Sequence, residues 1–152
     1  LGPWQMSLYG FGECLPDEAN RVELDPDVVD AWGIPVIKIT CRGAENERAM
    51  FDHMADSAAE MLEAAGVRNV EVFHEDNPPG KTIHEMGTAR MGRDPATTVL
   101  NGYNQAHDVR NLFVVDGTCM VSSANQNPSL TYMALTARAC AYAVDALNRL
   151  EL

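Results

Sequence analysis

The sequence predicts an α+β fold: an antiparallel sheet with a helix on one face, then a long loop, a short strand and a C-terminal helix. Three observations predict it. Short stretches in the first half alternate polar and apolar residues, as half-buried strands do. Two stretches of roughly twenty residues carry apolar side chains at helical spacing. Between them, 76–105 is rich in Gly, Pro, Asn, Thr and Met without a period, and a loop of that length usually carries function. The expected division is 1–80 as the sheet region and 81–152 as loop, strand and C-terminal helix.

Taken in order, Met6 to Cys14 reads as a strand bent at its glycines. Arg21-Val22-Glu23-Leu24 alternates as a second strand, and Asp25-Pro26-Asp27 and Gly33-Ile34-Pro35 punctuate the connection to a third, Val36 to Cys41. A helix is expected from about Asn46 to Ala65. Met50, Met54, Ala58, Met61 and Leu62 form its apolar stripe, Glu47, Arg48, Asp52 and Glu60 face outward, and Gly66 caps its end. Val70 to His74 alternates again. Asn111 to Gly117 is a short buried strand ending in Asp116-Gly117. The strongest helix runs from Pro128 to about Asn148, with Asn127 as N-cap and Pro128 at the first position. Leu130, Met133, Ala134, Ala137, Ala141, Val144 and Leu147 make its apolar face.

A chain of 152 residues suffices for one domain with a core. Its net charge of −11 argues against a nucleic-acid partner, which needs clustered Lys and Arg. No apolar run approaches a membrane span and no secretory signal is present, so a soluble protein of cytoplasm or periplasm is expected. The start at Leu1 points to a segment of something longer or processed, which leaves a removed signal peptide open. Cys14, Cys41, Cys119 and Cys140 lack the short spacings of a zinc site and read as buried free thiols. No metal is expected.

His84 carries the chemical interest. Its bland reading, shared with His53, His74 and His107, is structural. Its setting differs, because Gly87-Thr88 and Met91-Gly92 allow backbone to approach a ligand closely. An imidazole is also the side chain best suited to accept a proton near neutral pH. Asn127 is compatible with two roles, a helix cap and a ligand-facing amide, since a helix N-terminus attracts anions. Asp116-Gly117 is either a plain turn or an acidic group that holds hydroxyls at a strand end. Two rival chemistries fail. Ser122 or Ser123 with His84 and Asp116 lacks the G-x-S-x-G elbow, and Gly80-Lys81-Thr82 lacks the earlier glycine of a phosphate loop.

Three segments, His84-Glu85-Met86-Gly87-Thr88-Ala89-Arg90-Met91-Gly92, Asn111-Leu112-Phe113-Val114-Val115-Asp116-Gly117 and Asn127-Pro128-Ser129-Leu130-Thr131, resemble the C-terminal part of the glucose–methanol–choline family of flavoprotein alcohol oxidoreductases. An Ala-rich helix with Arg138 follows them, as in the family. Gly10-Phe11-Gly12-Glu13, Asn20-Arg21-Val22 and Asp30-Ala31-Trp32-Gly33-Ile34-Pro35 resemble, less specifically, strands of the substrate-binding sheet in bacterial members. The resemblance implies FAD as cofactor and a small alcohol, sugar or polyol as substrate. It implies His84 as the base that takes the alcohol proton while hydride passes to flavin N5, and Asn127 as the partner that orients alcohol and flavin. It assigns Asp116 and Gly117 to the flavin-contacting turn, and Pro128, Ser129 and Thr131 to the helix start under the pyrimidine edge. The G-x-G-x-x-G fingerprint for the ADP part of FAD is absent from these 152 residues. The expectation is therefore a C-terminal portion, inactive alone, whose partner is the N-terminal FAD-binding region. The alternative is a non-catalytic substrate- or partner-binding domain that uses the sheet as its surface.

Overall fold

A computed structural model describes residues 2–73, 80–81 and 83–152. It is α+β: strands β1 (Arg21–Val29) and β2 (Pro35–Thr40), helix α1 (Glu45–Ala64), a short 3-10 turn (Gly117–Cys119) and helix α2 (Ser129–Asn148). The chain divides into two compact units, one of Leu1–Asn20 with Thr40–Pro79, the other of Arg21–Ile39 with Gly80–Leu152.

The first unit is organised by α1. Ala44, its N-cap residue, has no side chain able to cap, and its own free N–H is met from within the first turn. Glu47, in the third helical position, reaches back so that one carboxylate oxygen accepts the Ala44 N–H at 2.8 Å and the other the Leu15 N–H at 2.9 Å. Glu47 is thus buried, not outward-facing as its polarity suggested. Those two backbone donors hold its carboxyl below the usual carboxylate range. The helix ends in a Schellman motif: Gly66 N–H bonds Glu63 O at 2.9 Å and Val67 N–H bonds Leu62 O at 3.0 Å, with Gly66 in the left-handed region. On the expected stripe, Met50, Met54 and Ala58 are half-buried and Leu62 is buried, but Met61 faces outward.

Met6 to Cys14 is not a strand. Its glycines serve close approach to the helix instead, since a Cβ on Gly12 would fall within 2.4 Å of the Met50 methyl. Val70 to Phe73 forms no strand either, and His74 lies outside the described residues, as do Asp76 and Thr82. Cys14 and Cys41 are exposed, contrary to the buried thiols expected.

In the second unit, β1 and β2 form a two-stranded antiparallel sheet. Asp30 organises the turn, its Oδ1 accepting the N–H groups of Trp32 and Ile34, both at 2.9 Å. The expected break at Asp25-Pro26-Asp27 does not occur, because β1 runs through it to Val29. In a two-stranded sheet each strand has a free edge, where a missing N–H breaks no ladder. Val22, Leu24, Ile37 and Ile39 are all exposed on this hairpin.

The core of this unit lies under the long loop. Leu100, Ala106 and Cys119 are buried together, with Ala89, Met91, Val114, Met120 and Leu135 packed around them. Isolated bridges join Met91 to Leu100, Leu100 to Ala106 and Gln105 to Phe113. The expected strand over Asn111 to Gly117 is reduced to one of these bridges. Its partner segment is bent at Asn104, which sits at φ +65°, so successive bridges cannot form. Asn104 is fully buried; its Nδ2 donates to Val114 O at 3.0 Å and its Oδ1 accepts from Arg138 Nη2 at 3.4 Å.

Helix α2 presents an unexpected face to this core. Ala139 and Ala146 are buried and Tyr132, Leu135, Thr136, Tyr142 and Ala143 are half-buried, one helical stripe. The bulky stripe expected to be the core face is exposed: Leu130, Met133, Val144 and Leu147 range from 56% to 78% accessible. Cys140 is exposed as well.

Candidate active site

Backbone pairing carries the His84–Gly92 segment to the 3-10 turn. Ala89 N–H bonds Thr118 O at 3.0 Å and Met91 N–H bonds Cys119 O at 2.9 Å. The turn itself begins at Asp116, whose Oδ1 accepts from the Thr118 N–H at 3.0 Å and the Thr118 hydroxyl at 2.5 Å. Asp116 is exposed while Gly117 is not. A Cβ on Gly117 would stand 2.7 Å from the Tyr132 hydroxyl, 3.0 Å from Glu85 O and 3.2 Å from Met86 Sδ. Glycine is required there by crowding. Tyr132 belongs to the first turns of α2, so Gly117 is where three expected site segments converge.

His84 is half-buried and Asn127 exposed, and neither side chain makes a hydrogen bond among the described residues. Asn127 is not the N-cap. Helix α2 starts at Ser129 with buried Pro128 as its cap residue, and no side chain caps it. The proline side chain has no acceptor, so the N–H groups of Ser129, Leu130 and Thr131 have no capping side chain, and all three residues are exposed. The first bond of the helix is Tyr132 N–H to Pro128 O, at 3.1 Å.

Met91, Cys119, Met120, Val121 and Ser122 line a cavity of about 250 Å³. Burial pushes the Cys119 thiol above its usual range, against the opposing effect of a hydrogen bond with Asn104, so it stays neutral and behaves as packing. No group of three metal-binding side chains occurs among the described residues, and no helix there is long and apolar enough to cross a membrane.

Tyr132, Asn104 and Glu47 were missed at the level of sequence. Glu47 had a signal, its position three residues past a helix start. Tyr132 was visible only as an aromatic among small residues on α2, and Asn104 had none beyond a turn-forming Asn-Gly-Tyr-Asn.

A family model described as GMC oxidoreductase matches residues 16–136. The chain is 39% identical over 137 residues to a 2-methyl-1,2-propanediol dehydrogenase of Mycolicibacterium austroafricanum, covering 90% of this chain and 25% of that protein. It is 32% identical to the fructose dehydrogenase large subunit of Gluconobacter japonicus, covering 88% and 24%. It is 30% identical to a gluconate 2-dehydrogenase flavoprotein of Pantoea cypripedii, covering 86% and 22%. The chain thus spans about a quarter of the length of these relatives.

Proposed function

The chain belongs to the GMC oxidoreductase family, matching its C-terminal part, and from that premise we propose that the whole protein is an FAD-dependent oxidoreductase converting an alcohol, of sugar or polyol type, to a carbonyl. The observation that carries this is the convergence of the His84–Gly87 segment, the Asp116–Gly117 turn and the uncapped start of α2 on one another. The names of the relatives, a diol dehydrogenase, a fructose dehydrogenase and a gluconate dehydrogenase flavoprotein, support the substrate class.

Bound FAD supplies the hydride acceptor. The chain's own residues supply a proton acceptor and an electrostatic seat. The Ser129 to Thr131 N–H groups suit an anionic ring edge, because a helix N-terminus carries partial positive charge and free donors. Pro128 sets the start of that turn. Asp116 and Gly117 would lie along the ribityl chain, where the exposed Asp116 carboxylate accepts from hydroxyls. His84 takes the hydroxyl proton of the alcohol, and the Asn127 amide, engaged by nothing else, orients the same hydroxyl.

The rest of the cofactor is held by the N-terminal FAD-binding region. Its packing partner here is the exposed apolar stripe of α2, with the exposed Val and Ile side chains of the hairpin. The decisive experiment replaces His84 by Ala in the full-length flavoprotein. Anaerobic flavin reduction by the alcohol is expected to slow roughly 10²–10⁴-fold, the usual worth of a general base. A rate within a few-fold of the parent removes His84 from that role.

A further inference from the structure

Tyr132 stands at a mechanical junction. Its N–H is fixed to Pro128 O in the first turn of α2, and its hydroxyl donates to Met86 Sδ at 3.6 Å. The hydroxyl oxygen is also the nearest neighbour of the space above Gly117, at 2.7 Å. Met86 is two residues past His84, and Gly117 follows Asp116. One oxygen therefore touches the segment bearing the proton acceptor and closes over the turn assigned to the cofactor. Burial, with the negative charges of Asp116 and Glu85 in its field, pushes the phenol above its usual range. It remains a donor throughout the neutral and mildly alkaline range.

We propose that Tyr132 is a positioning residue whose hydroxyl fixes the His84–Gly87 segment against the Asp116–Gly117 turn, and so sets where the imidazole stands relative to alcohol and flavin. This rests on the role of His84 proposed above. The ring alone does not suffice, because the oxygen is the atom that bonds Met86 and fills the gap over Gly117. A thioether is a weak acceptor, so the bond adds little to stability. Its effect lies in placement, to which reaction rates are far more sensitive: a displacement of about 1 Å can cost on the order of 10²-fold.

The test uses the full-length flavoprotein with Tyr132→Phe, Met86→Leu, the double variant and His84→Ala. Tyr132→Phe is expected to keep its flavin content, thermal midpoint and alcohol affinity. Its anaerobic flavin reduction should slow about five- to tenfold, with a larger solvent isotope effect as the misaligned proton transfer becomes limiting. Met86→Leu should give a similar loss, and the double variant no more than either single, because hydroxyl and thioether act as one unit. A readout independent of turnover is flavin retention on gel filtration. Gly117→Ala should shed flavin, and Tyr132→Phe added to it should restore part, since the oxygen nearest the new methyl is gone. An unchanged rate and isotope effect in Tyr132→Phe while His84→Ala is slow overturns the proposal and leaves the base intact. Losses that multiply in the double variant overturn it too. A normal rate in His84→Ala overturns both roles, and the Gly117→Ala pair then still reports whether the hydroxyl holds the turn.

Discussion

Replacing Asn104 separates two reasons for a single asparagine. Its side chain donates to Val114 O and accepts from Arg138, and its backbone sits at φ +65°, where side chains other than Asn, Asp and Gly are disfavoured. Asn104→Ala removes the donor in a fully buried setting, and an acceptor left unmatched there costs about 1–3 kcal/mol. Alanine in the left-handed region adds roughly 1 kcal/mol. The total is about 2–4 kcal/mol. Asn104→Gly loses the same bonds but tolerates the backbone, so it should be about 1 kcal/mol milder than Ala. Urea unfolding followed by far-ultraviolet circular dichroism measures the difference. Amide exchange at Leu100 and Val114 in the full-length protein checks that the damage is local. Ala and Gly variants of equal stability refute the backbone part, and an Ala variant as stable as the parent refutes the hydrogen-bond part.

Glu47 provides a pH test. Its native pKa lies below the ordinary 4.5, so the stability it contributes is present above that value and is lost as pH falls through the depressed native one. Glu47→Gln should therefore flatten the acid limb of the urea midpoint against pH, and an unchanged limb would remove Glu47 as its source. Leu150, 89% exposed at φ +59°, occupies the position after the cap of α2 where glycine is preferred. Leu150→Gly should raise stability by about 0.5–1 kcal/mol in the same unfolding assay, and a loss would mean that the side chain makes a contact in the whole protein. Asn127→Ala, with no capping bond to lose, should alter the thermal midpoint little. Alcohol oxidation should nevertheless drop about tenfold, or 1.4 kcal/mol of barrier. Full activity would leave Asn127 without a role at the site.

The sequence made legible whatever depends on local spacing. Both helices fall where periodicity puts them, and Gly66 caps α1 as its position foretold. The hairpin was visible in its alternation, but not the passage of β1 through Pro26, which depends on the strand having a free edge. Periodicity also misjudged which side of α2 is buried. The bulkiest residues define the strongest apolar stripe, yet the core beneath the long loop is close enough to accept only Ala139, Ala146 and a few half-buried neighbours. The long loop was legible as important and illegible as structure. Its order comes from Asn104 and from single bridges between residues such as Met91 and Leu100, which no local pattern encodes. The candidate site was half legible: its three segments could be named, while the Tyr132 oxygen that joins them follows from three-dimensional convergence alone.

The two stripes of α2 divide its residues into two kinds of mutational risk. A larger side chain at Ala139 or Ala146 injures the packing of this unit directly, because both are almost wholly enclosed within it. A polar side chain at Leu130, Met133 or Val144 leaves that packing untouched, since these positions are exposed among the described residues. On the proposed packing of this stripe against the N-terminal region, its damage surfaces only in the full-length protein. Variants of the second kind would pass every assay of this segment's own folding, yet yield a full-length protein that assembles poorly. A survey of inactive variants that scored only local stability would class them as harmless.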